Sequence, residues 1–198
     1  MSQKPQILLI GDSIRMGYDK YVAEKFKDKA EVVWIPENSQ FTEYTLRHLK
    51  DWKKSLNLDT VDAVHLNVGL WDSLRLYGDF ETLTRPDIYA ENIRRIQKLL
   101  YFHFPTAKMI FATSTPVVEE RFDPFSAVRY NRDIEHFNQL ALDVLADFPV
   151  EINDLYGLVH GKPLSLYSDM THLYTDEGTR LLGDRVCEVL CKVLDITL

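Results

Sequence analysis

A hydroxyl, an imidazole and a carboxylate stand out in this chain by where they sit. Gly11-Asp12-Ser13 directly follows the apolar run Ile7-Leu8-Leu9-Ile10, and Asp169-Met170-Thr171-His172 precedes the last amphipathic stretch. A serine hydroxyl is a weak nucleophile until a base within hydrogen-bond reach takes its proton. Imidazole is the usual base, because as a class it titrates near neutrality. A carboxylate on the far ring nitrogen then holds one tautomer and supports the imidazolium that forms. Ser13, His172 and Asp169 supply these three parts. Each half alone has a plainer reading: Ser13 as a helix N-cap, and Asp169 as a cap beside a surface histidine.

Acyl transfer also needs about two N–H donors aimed at the tetrahedral oxyanion, each worth roughly 3–4 kcal/mol when lost. Ser13 opens a helix, so its own N–H is one candidate. Two polar loops offer the others: Glu37-Asn38-Ser39-Gln40 and Asn67-Val68-Gly69-Leu70-Trp71-Asp72. The donor candidates are thus Ser13, Asn38, Gly69, Trp71 and Asn67. Ordinary turn chemistry also explains Asn and Gly in such loops.

These loops need elements to hold them. Short apolar runs at 6–10, 31–35, 61–68, 108–112 and 150–152 read as five buried strands. Stretches at 15–29, 42–55, 86–102, 128–147 and 176–194 read as helices, the last four with apolar residues at helical spacing and Thr175 capping the last. Strands alternating with amphipathic helices imply a parallel sheet covered on both faces. The expectation is an α/β fold: a three-layer α/β/α sandwich with a five-stranded parallel sheet in flavodoxin-like order. Ligands bind at the carboxyl ends of such strands, and all the polar loops above follow strands or precede the final helix.

The whole chain, 1–198, reads as one domain, and 45% hydrophobic residues are enough to fill a core. A net charge of −7 repels phosphate backbones, so no nucleic-acid partner is expected. Cys187 and Cys191 lie four apart in one helix, which suits two reduced thiols better than a disulfide or a metal site. The polar start, Met1 to Pro5, is too short for a signal peptide, and no segment reaches a membrane span's length. A cytoplasmic location is the expectation.

At these residues the chain resembles the SGNH/GDSL hydrolase family, also described as GDSL-like lipases and acylhydrolases. Gly11-Asp12-Ser13 is similar to the family's first block and Asp169-x-x-His172 to its last. The run Gly69-Leu70-Trp71-Asp72 resembles the third block, usually Gly-x-Asn-Asp, and Asn38 falls where the second block belongs. The resemblance implies a flavodoxin-like fold and ester hydrolysis without metal or organic cofactor. It implies Ser13 as nucleophile, His172 as base and Asp169 as the residue that orients it. Two departures stand out: Trp71 replaces the oxyanion-donating Asn, and Asn38 replaces a Gly. Asn67, two residues before Gly69, is a candidate to compensate.

The resemblance also places the cleft walls at 74–86 and 116–130. From these come the candidate substrate contacts Arg121, Phe122 and Phe125, and Arg15 joins them from beside the nucleophile, unless it pairs with Asp72. The substrate expected is a small-molecule ester with a small acyl group, acetyl on a carbohydrate among them. Two rival readings remain. One is an inactive binding module that keeps the fold, which the Trp71 departure favours. The other is a metal-dependent phosphoesterase using Asp12, Asp72, Asp169 and His172.

Overall fold

The computed structural model describes residues 4–198; the first residues of the polar N-terminal stretch lie outside them. Five strands form one sheet: β1 (Gln6–Gly11), β2 (Glu31–Trp34), β3 (Ala63–Asn67), β4 (Lys108–Ala112) and β5 (Val150–Asn153). All pair in parallel, in the order β2-β1-β3-β4-β5. This is the expected flavodoxin-like order. Side chains alternate across a strand, and β1 shows the consequence. Ile7 and Leu9 enter one apolar cluster, Leu8 and Ile10 the other.

Among the described residues six α-helices cover the two faces: α1 (Ser13–Phe26), α2 (Thr42–Ser55), α3 (Pro86–His103), α4 (Asn131–Leu145), α5 (Leu155–Val159) and α6 (Asp176–Leu194). The first cluster joins the sheet to α1, α5 and α6 through Tyr18, Val22, Leu155, Leu182 and Val186. The second joins it to α2, α3 and α4 through Leu49, Trp52, Ile93, Ile96, Phe137 and Ala141. The result is the three-layer sandwich expected from the alternating pattern. Among the described residues no helix is long and apolar enough to cross a membrane.

Three differences from the sequence expectation have local causes. Helix α1 starts at Ser13 because Asp12 caps it, its Oδ1 accepting the Ile14 N–H at 2.8 Å. Helix α4 starts at Asn131, since Arg75 and Val128 form an isolated antiparallel bridge that holds the chain extended up to Tyr130. Helix α5 was not expected. It is five residues long, capped by Asp154, and too short to display helical periodicity.

Candidate active site

The first turn of α1 presents Ser13 at the carboxyl end of β1. Asp12 holds this turn and is fully buried. Burial pushes its carboxyl up to about 7, against the Ile14 N–H bond and the charges of Arg129 and Arg15. Ser13 itself is half-buried. As the first helical residue it has no intrahelical acceptor for its N–H, which leaves that donor at the positive end of the helix dipole.

The loop before α6 builds the second part. His172 Nδ1 lies 2.7 Å from Asp169 Oδ2. Asp169 Oδ1 accepts the backbone N–H groups of Thr171 at 2.6 Å and His172 at 2.7 Å. Partial burial alone would raise the Asp169 carboxyl, but the bonds from the His172 ring and from these two amides outweigh it and hold it below the usual range. The carboxylate therefore stays charged and faces the ring. With the proton on Nδ1, Nε2 is an acceptor.

Tyr174 fastens this loop against the start of α1. Its hydroxyl donates to the Ser13 carbonyl oxygen at 2.6 Å, and its ring stacks on His172 with centroids 4.6 Å apart. Gly17 makes room for it, since a Cβ there would lie 2.7 Å from the Tyr174 ring. On the other side, Arg121 Nη1 donates to the Asp169 carbonyl at 3.0 Å and the Val118 N–H to the Met170 carbonyl at 2.8 Å.

The loop after β2 packs on the nucleophile turn. The Ser39 N–H donates to the Gly11 carbonyl at 3.1 Å. Asn38 Oδ1 accepts the Gln40 N–H at 2.8 Å, which supports the positive φ of Gln40. Among the described residues the Asn38 N–H has no protein acceptor. In the loop after β3, Gly69 has φ +130°, and a Cβ there would meet the Tyr89 hydroxyl at 2.8 Å. Asp72 is buried and anchors α2, accepting the Thr42 hydroxyl at 2.6 Å and its N–H at 3.1 Å. Burial pushes its carboxyl up to about 6. Trp71 is half-buried, with the Arg129 guanidinium over its ring at 5.8 Å.

Several candidates have other duties. Asn67 is fully buried, and its amide nitrogen donates to the carbonyls of Ala112 at 3.1 Å and Thr113 at 3.3 Å. It clamps β3 to β4 and leaves no donor for an oxyanion. Arg15 is 2% exposed, too buried to meet a substrate. It pairs with Asp19, not Asp72, at 2.5 Å, and its Nη2 donates to the Glu37 carbonyl at 2.6 Å, tying α1 to the Asn38 loop. Phe122 packs against the first core cluster. Arg121 straps the Asp169 loop, as above. Phe125 is exposed and meets Tyr77 edge-on at 6.2 Å, which joins the two expected wall segments. Tyr174, absent from the sequence reading, is the residue that ties the two halves together. Its only signal was an aromatic two positions after His172.

No protein-family model matches the chain. A search of curated proteins finds no match either. Solved structures do match. A lipase/acylhydrolase from Enterococcus faecalis shares 20% identity, with 94% of this chain and 95% of that one covered, at TM-score 0.73. An acetyl xylan esterase shares 20%, covering 93% and 99%, at 0.72. A GDSL-like lipase from Bacteroides thetaiotaomicron shares 16%, covering 94% and 88%, at 0.71. The fold is that of the GDSL-type lipases and acylhydrolases, spanning nearly the whole chain. At the ends of β1 and before α6, this chain carries the Ser13 turn and the Asp169–His172 pair.

Proposed function

We propose that the chain is a serine esterase that hydrolyses carboxylic esters with small acyl groups. Ser13 Oγ attacks the ester carbonyl carbon while His172 Nε2 takes its proton. The tetrahedral intermediate collapses, the alcohol leaves with the proton from His172, and an acyl-serine remains. Water, deprotonated by the same ring, then releases the acid and restores Ser13. Asp169 holds the ring throughout. The N–H groups of Ser13 and Asn38 serve as oxyanion donors.

The observation that carries this reading is the 2.7 Å Asp169–His172 pair on a loop that Tyr174 fastens to the Ser13 turn. The acetyl xylan esterase among the similar structures supports small acyl groups, acetyl on a carbohydrate included, as the first substrates to try. A fluorophosphonate probe tests the mechanism. Adduct formation on Ser13, with loss of labelling and of p-nitrophenyl acetate hydrolysis in Ser13→Ala, is expected. Labelling that survives Ser13→Ala defeats the assignment. No turnover of any short ester favours a binding module instead.

A further inference from the structure

Arg129 meets the protein through only one edge of its guanidinium. Its Nε donates to the Leu70 carbonyl oxygen at 2.8 Å, which fixes one edge of the planar guanidinium. Its Cζ sits 5.8 Å from the centre of the Trp71 ring. Among the described residues, Nη1 and Nη2 have no hydrogen-bond acceptor and no ion-pair partner within 4 Å. The group is nevertheless half-buried. Its desolvation is opposed mainly by the charge of Asp12, the residue directly before Ser13. These two nitrogens are not among the buried unpartnered atoms, so they are open to water, and a negative charge arriving in the cleft finds free donors there.

The location gives that charge an identity. Trp71 stands where the resembled family has an Asn that donates to the oxyanion, and indole lacks a carboxamide. The guanidinium lies against this same side chain and within electrostatic reach of the nucleophile turn. We propose that Arg129 is a catalytic residue, donating from its Nη groups to the tetrahedral oxyanion in place of the carboxamide missing at position 71. This rests on the esterase reading above. The Leu70 carbonyl fixes the Nε edge of the guanidinium before substrate arrives. The positive charge opposes the oxyanion as it forms and has less to oppose in the neutral ester, so the contact strengthens towards the transition state.

The experiment compares wild type, Arg129→Met, Arg129→Lys and the double variant Arg129→Met with Trp71→Asn. Neutral p-nitrophenyl acetate and anionic mono-p-nitrophenyl succinate are the substrates, and thermal melts check folding. Arg129→Met is expected to lower kcat on both esters by about 100-fold with KM little changed. Arg129→Lys, which keeps the charge without the fork, falls between. Trp71→Asn restores at least about tenfold to the Met variant, because a carboxamide donor returns.

A kcat for Arg129→Met within about threefold of wild type overturns the proposal. So does a loss confined to the KM of the succinate ester, which would make Arg129 a seat for a substrate carboxylate. If Arg129→Met fails to fold, Arg129→Lys with and without Trp71→Asn is read in its place, with the same reduction and rescue expected. Wild type that neither turns over an ester nor takes a phosphonate adduct sinks the esterase reading itself. Active wild type with insensitive Arg129 variants sinks this inference alone.

Discussion

Tyr174 donates its hydroxyl hydrogen to the carbonyl oxygen of Ser13 at 2.6 Å while its ring covers the face of His172. One side chain thereby sets the distance between two loops that lie 159 positions apart in the sequence. Burial pushes its phenol up to about 12, so it stays a donor through the working pH range. Tyr174→Phe keeps the stacking and loses the bond, worth about 1 kcal/mol. Ester hydrolysis should fall several-fold, with a small drop in melting temperature. Tyr174→Ala, which also removes the stacked ring, should lose far more activity. Wild-type activity in Tyr174→Phe would show that the hydroxyl does nothing, and equal losses in the two variants would show that the stacked ring adds nothing.

The parallel sheet and the three layers were legible because short apolar strands alternate with amphipathic helices, and the strand order agrees with the one that the family resemblance implies. Helix α6 coincides with its expected span, Asp176–Leu194, and Thr175 caps it through the Gly178 N–H at 3.1 Å. Residue types in loops were legible too, but not their partners. Asn67 looked like a donor for the cleft because it ends a strand, whereas its amide clamps the neighbouring strand. Nothing local in the sequence states which carbonyls come to face it. Arg15 is a different case. Its ion pair with Asp19 has the i, i+4 spacing of a helix pair, so that partner was present in the sequence itself. Tyr174 and Arg129 draw their importance from contacts across the fold, which spacing does not carry.

Asp169→Asn should separate orientation from loop folding. The asparagine Oδ1 can still accept the Thr171 and His172 N–H groups that Asp169 Oδ1 accepts now. Its amide nitrogen, facing His172 Nδ1, would favour the proton on Nε2, the wrong tautomer for a base. Thermal stability should change little, while kcat should fall by about 10³–10⁴-fold. Near-normal turnover in Asp169→Asn would remove Asp169 from the mechanism.

The buried Asp12 gives a pH dependence of stability. Its folded-state pKa, about 7, lies above the ordinary 3.8. Between those values the folded protein retains a proton that the unfolded chain has released, so this group makes stability fall as pH rises from about 4 to about 7. Asp12→Asn keeps an oxygen for the Ile14 N–H and does not ionise. Its stability relative to wild type should rise across that window and level off above it. Asp72, also raised, is common to both proteins and cancels in the difference. Denaturant midpoints measured across the window check this, and a pH-independent difference would contradict it.

Gly69 turns the chain from β3 into the loop that carries Trp71, the Arg129 acceptor Leu70 and the α2 anchor Asp72. Its φ of +130° is one that residues with a Cβ rarely adopt, and the added carbon would also sit 2.8 Å from the Tyr89 hydroxyl and 3.3 Å from Ser114 Oγ. Tyr89 cannot easily retreat, because it is fully buried against Phe137 with ring centroids 4.8 Å apart. Backbone strain of this kind costs about 1–3 kcal/mol, and relief by shifting the loop would move Leu70 and Trp71 together. Gly69→Ala should therefore lower both the denaturation midpoint and kcat, the second by displacing the groups around the oxyanion. A variant with the wild-type midpoint and wild-type turnover would mean that the loop tolerates a side chain there, and that its conformation does not position the cleft.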